Sequence, residues 1–270
     1  MSATRTDLAP VARPGRERIS AGGLLRSEWR KLWTIRPLWM TLAAAFGLTI
    51  ALCAYMIIDG TTLGGPDAGH IPFGWTAIYP VGMLVLVVFG VLSVSTEYAS
   101  GSIRTTLTVA PRRTGVMLAK AAVVTAVAAV LAALTTVVLY LLLQVAGTVP
   151  SATGVSLFAP EMFWGVLGGT VMMPYGALFG VLLGWLLRSA AGAICLYFGL
   201  FQMGPQILPA FLPEQLAGAT DYLPLEALNI VRSGGLSTEP YGAVTASIIL
   251  VAWVVALGSL AWWRLKKFDG

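Results

Sequence analysis

The chain has 270 residues, of which 57% are hydrophobic and 11% charged, and its mean hydropathy is +0.81. An average globular chain carries roughly 25% charged residues, so this one lacks the charge to clothe a water-soluble surface, and a soluble domain is excluded. Thirty glycines and fifteen prolines argue against a coiled coil or fibre, while one histidine and two cysteines rule out a Cys/His zinc site, an iron–sulfur cluster and bis-histidine haem ligation within one copy.

Residues 1–21 are rich in Arg, Pro, Ala and Ser without periodicity and read as a disordered cytosolic tail. Residues 22–37 follow a different pattern. Leu25, Trp29, Leu32 and Trp33 recur at i, i+4, i+7 and i+8, with Arg26, Arg30 and Lys31 off that stripe. This is an amphipathic helix suited to the inner membrane interface, ended by Pro37. A plain basic anchor ahead of a membrane helix accounts for the same residues.

Six stretches then lack Asp, Glu, Lys, Arg and His and approach or exceed the roughly 20 residues that cross the hydrocarbon. They are 38–58, 77–95, 121–145, 162–187, 190–211 and 243–263. The polar leader has no small-residue cleavage site after the first apolar run, so the first span is expected to be retained. The connector 59–76, with the lone His70, has no periodicity.

The longest basic loop joins spans two and three. Glu97 and Arg104 suit the two poles of a short helix that Pro111 ends. Thr114 is the expected N-cap of a third helix that begins below the membrane, with Lys120 snorkelling from its first turns. Such a helix is a cytosolic handle; the alternative is that these charges only fix topology. Span four carries Gly165, Gly169, Gly176, Gly180 and Gly184, mostly at four-residue intervals that let helices approach closely.

Arg188–Ser189 joins spans four and five in a tight hairpin. In span five Cys195, Gly199, Gln202 and Gln206 share a face, and Pro205 and Pro209 are expected to kink its outer end. Gln202 and Gln206 either line a pathway or make interhelical hydrogen bonds. In segment 212–242, Pro224 and Glu226 suit the start, and Arg232 with Gly234 and Gly235 the end, of a short amphipathic helix at the outer surface. Trp75, Tyr79, Trp164, Trp185, Trp262 and Trp263 fall near span ends and are expected to be belt anchors. Cys53 and Cys195 are expected to be reduced, apolar fillers.

Alternate segments between the spans hold the basic residues. Sixteen of the 17 fall on the side of the N-terminus, with five acids; Arg232 and seven acids fall opposite. The positive-inside rule makes that side, both termini and the basic tail 264–270 cytoplasmic. The net charge of +5 is thus a matter of topology, matched by anionic inner-leaflet lipids rather than nucleic acid. The fold class is an all-α integral membrane protein with six transmembrane helices spanning 38–263.

No catalytic constellation and no metal cluster is legible, so no enzymatic site is expected. A proton-coupled carrier needs ionisable groups inside the membrane, and the six stretches hold none. The G-x-x-x-x-G-K-[ST] phosphate loop is also absent. Uphill transport would then draw on another polypeptide.

Four segments carry a family resemblance: RSEWRKLWTIRPLW before span one, EYASGSIRTTLTVAPRRTGVMLAK after span two, GVLLGWLLRSAAGAI between spans four and five, and YLPLEALNIV before span six. Together, from about Gly22 onward, they resemble the membrane subunit of type-2 ATP-binding cassette (ABC) exporters. The resemblance implies a multi-pass permease of the cell membrane that pairs with a second copy or similar subunit and with cytosolic ATPase subunits. These would bind ATP and Mg, leaving this chain without a cofactor.

It implies that residues 24–36 form an interfacial connecting helix, with Leu25, Trp29, Arg30, Lys31, Leu32 and Trp33. Residues 97–107 would be the ATPase-coupling helix, with Glu97, Tyr98, Gly101, Ile103, Arg104 and Leu107, and residues 205–231 would cap the pathway. Gly176, Gly180 and Gly184 are the candidate packing face. An apolar pathway with Gln202 and Gln206 suits amphiphilic small molecules, peptides or lipids. The competing expectations are a non-transporting scaffold and an ion-coupled carrier.

Overall fold

In a computed structural model of the chain, residues 20–59, 79–103, 105, 113–146, 154–233 and 240–268 are described, and no strand occurs among them. The tail, the connector with His70, Trp75, Arg104, Leu107, Pro111 and Gly234–Gly235 lie outside the described residues. Helix α1 (Ala21–Thr34) starts where the Ser20 hydroxyl accepts a hydrogen bond from the Gly23 N–H at 3.1 Å, a side-chain N-cap. It ends at Ile35, whose backbone is extended, and α2 (Arg36–Asp59) begins at once. The break therefore falls two residues before Pro37. The proline occupies the first turn of α2, where an N–H would have no intrahelical partner.

Helices α3 (Tyr79–Ala99), α4 (Arg113–Ala146) and α5 (Pro160–Leu187) form the body, and α8 (Ala243–Phe268) closes the chain. Among the described residues, five helices are long and apolar enough to cross a membrane. A bent pair, residues 190–202 and 204–210, supplies the sixth if taken as one span. Both α3 and α4 outrun the uncharged stretches 77–95 and 121–145 and carry Glu97, Arg113 and Lys120 within them. The stretches themselves hold no ionisable group; the helices carry charge only where their backbone continues past them.

Close approach of α3 and α5 sets the packing. A Cβ on Gly90 would collide with the Ala177 carbonyl, one on Gly180 with the Val87 carbonyl, and one on Gly176 with Met83. Glycine at these positions lets backbone meet backbone, the contact that replaces the hydrophobic effect in lipid. A buried hydroxyl chain adds polar glue: Tyr79 to Thr136 at 2.6 Å and Thr136 to Thr170 at 3.0 Å, joining α3, α4 and α5. Tyr79 and Trp185 are fully buried in this core, so neither is a belt anchor. Trp262 and Trp263 are exposed, each under a lysine (Lys266 and Lys267).

Arg188, at φ 57, ends α5 and donates its N–H to the Gly184 carbonyl; Ser189 then caps α6 (Ala190–Leu196) by accepting from the Gly192 N–H. A π-helical turn, Tyr197–Gln202, follows, and the span breaks with a 41° bend into the single turn Gly204–Ile207. Pro205 lacks the N–H that would continue the ladder, and Pro209 stands in a further 3₁₀ turn, Leu208–Ala210. Helix α7 (Pro224–Ser233) follows, but on contact with α5 and α8 it buries Leu225, Leu228, Ile230 and Arg232 rather than lying at the surface. Cys53 is buried, whereas Cys195 is exposed and fills nothing within the chain.

Gly180→Ala should lower stability by about 1–3 kcal/mol, the usual cost of overpacking. Gly47→Ala, with open space around its Cβ, should be neutral or stabilising. Thermal unfolding of the purified permease in detergent, comparing the two variants, checks this.

Candidate functional site

The end of α3 is the mechanical junction of the molecule. Glu97 lies in its last turn and is 4% exposed, Lys120 sits in the second turn of α4 at 3%, and Glu28 projects from α1 at 3%. Lys120 Nζ lies 2.6 Å from Glu28 Oε2 and 2.8 Å from Glu97 Oε1. Lys31 Nζ lies 2.7 Å from Glu28 Oε1 and 3.0 Å from the same Glu97 Oε1. Two carboxylates and two ammonium groups thus form a closed, neutral ring from three helices. Lys120 does not snorkel; it turns inward, because Glu28 and Glu97 offer better partners than the interface.

Burial pushes the Glu28 carboxyl up, but Lys120 and then Lys31 outweigh it and hold the group below the ordinary carboxylate value. For Lys31, burial acts downward and is outweighed by Glu28 and Glu97, which hold it above the ordinary lysine value. Glu97 Oε2 is buried without a hydrogen-bond partner. A void of about 10 Å³, bordered by Ser93, Glu97 and Lys120 among others, adjoins the ring. That is about the space of one water.

Tyr98 fastens the same turn on its other side. Its ring meets Trp185 edge-on at 5.8 Å, and the Arg188 guanidinium lies 5.3 Å from its centroid. One turn of α3 therefore binds α1 and α4 through Glu97, and the α5–α6 hairpin through Tyr98. Glu97 and Tyr98 belong to α3 rather than to a separate short helix, and Glu97 offers no exposed surface. The chain then bends at Gly101, whose φ of 73 favours glycine. Helical residues resume at Ser102, with Ile103 buried and Thr105 donating to the Ser102 carbonyl at 2.7 Å.

On α1, Leu25, Trp29 and Trp33 are exposed, Arg30 is exposed, and Leu32 is buried with Glu28. Lys31, placed by periodicity on the polar side, is half-buried in the ring. Gly176, Gly180 and Gly184 all face α3. Gln202 and Gln206 do not share one continuous helical face, because the break at Met203–Gly204 separates them. Gln202 Oε1 is buried without a hydrogen-bond partner and Gln206 is exposed. Among the described residues no group of three or more His, Cys, Asp or Glu could hold a metal.

Apolar helices of spanning length, packed backbone to backbone and pinned at one end by a charge ring, define a multi-pass integral membrane protein. Residues 24–204, more than half of the chain, match the ABC-2 family transporter protein model, and the chain belongs to that family. It is a permease subunit of an ABC transporter, in a membrane family that lacks the ATPase domain. No curated protein shows detectable similarity to the chain.

Removing one partner from the ring leaves a buried charge uncompensated, a loss of about 3–5 kcal/mol. Lys120→Met and Glu97→Gln should therefore each destabilise strongly, and their combination by less than the sum. Glu28, with its depressed value, contributes stability above 4.5 that is lost as pH falls through the depressed value. Lys31, with its raised value, contributes below 10.5 and loses it as pH rises through the raised value. The melting-temperature gap between the native chain and Glu28→Gln should be constant between those limits and close in acid.

Proposed function

We propose that the chain is the permease half of an ATP-driven exporter of the cell membrane, acting with a second permease copy or a similar subunit. A separate cytosolic ATPase subunit, binding ATP and Mg, would supply the energy. Both termini would face the cytosol, as the distribution of basic residues supports. Exposed apolar faces of α2 (Met40, Leu48, Tyr55) and α8 (Val244, Ile248, Val251) are available to lipid or a neighbouring subunit. The predominantly apolar spans, with Gln202 and Gln206 in the broken fifth, suit amphiphilic small molecules, peptides or lipids better than ions.

The observation that carries the reading is the junction at the end of α3. A push on the segment after Gly101 reaches α3 through continuous backbone. Through Glu97 it is shared with α1 and α4, and through Tyr98 with the α5–α6 hairpin. ATPase closure would then move these elements as one body and rock the two permeases apart. The docking contact itself falls to the segment following Gly101, with Glu97 acting behind it.

Gly101→Val should weaken association with the ATPase subunit by straining the bend that presents the docking segment. Glu97→Gln should leave association largely intact while uncoupling ATP hydrolysis from transport. Co-purification and transport assays in proteoliposomes read both. Normal association and normal transport in both variants would overturn the assignment.

A further inference from the structure

Between α1, α2 and α4 lies an apolar groove of about 410 Å³, lined entirely by hydrophobic side chains. Three indoles form its upper wall. Trp29 and Trp33 have ring centroids 5.4 Å apart, Trp33 and Trp39 4.2 Å, and Trp39 Nε1 donates to the Trp33 carbonyl at 3.3 Å. Below them the groove continues along Phe46 of α2 and Val130 and Leu134 of α4. At 1.5 Å per residue, 126–134 on α4 gives it a length of about 12 Å along the helices. It is therefore a slot running down from α1, and none of the described residues fills it.

Two arginines stand on α1 close in sequence to the indoles. Arg26 and Arg30 precede Trp29 and Trp33 by three residues each, so each lies one turn before an indole, beside the apolar stripe of α1. Both are exposed. Lys31 on the same helix is committed to the ring by Glu28 and Glu97. No ion-pair partner for Arg26 or Arg30 is present among the described residues. An apolar slot below and two uncommitted guanidinium groups above match one kind of molecule: a hydrocarbon chain that carries a negative head.

We propose that this groove is a binding site for an anionic phospholipid, with an acyl chain along the indole wall and the phosphate held by Arg26 and Arg30. Apolar lining gives no preference over bulk lipid, whose tails are equally apolar. Selection therefore comes from the head, where each arginine near the surface adds electrostatic attraction. The lipid fills the wedge between α1 and the bundle, on the face of α1 next to the one the charge ring holds. The inference rests on α1 lying along the membrane interface.

The full-length permease, reconstituted in phosphatidylcholine vesicles, is titrated with phosphatidylglycerol or phosphatidylcholine brominated on the acyl chain. Groove fluorescence is the difference between the native chain and its W29F/W33F/W39F variant. Half-maximal quenching should occur at a mole fraction about fivefold lower, or less, for the anionic lipid. R26Q/R30Q should abolish that difference, and Ala43→Phe, which fills the slot without adding an indole, should reduce quenching by both lipids. Equal quenching by the two lipids, or a preference that survives R26Q/R30Q, overturns the site. Absence of quenching by either lipid overturns instead the interfacial placement of α1.

Discussion

Taking four charges out of water is costly, and the ring at the end of α3 is tolerated only because it is complete. Glu97 faces two ammonium groups through one oxygen, so α3 and α4 alone would leave Lys120 and Glu97 with one ion-pair partner each in place of two. Glu28 and Lys31 arrive together from α1, keep the set neutral and give each buried charge a second partner. Position and orientation of α1 follow from this requirement. A helix held only by indoles could slide or roll along its apolar stripe, whereas a helix that must present a carboxylate and an ammonium three residues apart has one register.

Further into the apolar body the constraint changes from charge to volume. Along α3 and α5 the glycines bring carbonyl oxygens against the opposing helix, and small displacements there produce collisions rather than smooth adjustment. The Tyr79–Thr136–Thr170 chain fixes α4 to the same pair through groups that would be unsatisfied if it moved away. These three helices are therefore a rigid block, to which α1 is bolted at the base and α2 and α8 are fitted with much of their surface uncovered.

Membrane character, span order, the indole stripe and the glycine face of α5 were all legible, because they are properties of single segments read at a fixed period. What was hidden depends on pairs of distant residues. Glu28 is the single acid of α1, three residues before Lys31, and that spacing was the available signal; nothing local says that residues 97 and 120 complete the set. Lys120 was read as an interfacial cation for the same reason. Tyr79 and Trp185 carry the chemistry of belt residues, yet the packing of Tyr79 against α4 and α5 and of Trp185 against α3 makes them core. In the fifth span Pro205 marked the break, while the π-helical turn ahead of it has no sequence signature of its own.

The fifth span gives the molecule an uneven stiffness. Its first turns continue directly from the hairpin that Tyr98 and Arg188 secure, but beyond Tyr197 the chain passes through a wide turn, a 41° bend and four short helical pieces before α7. Short helices with interrupted ladders have few cooperative hydrogen bonds to resist bending. The end bearing the ring is thus clamped, and the opposite end is compliant. Along α3 and α5 the backbone contacts leave little slack, whereas the broken span, with Gln202 beside its joint, has the least regular hydrogen-bond ladder of the bundle.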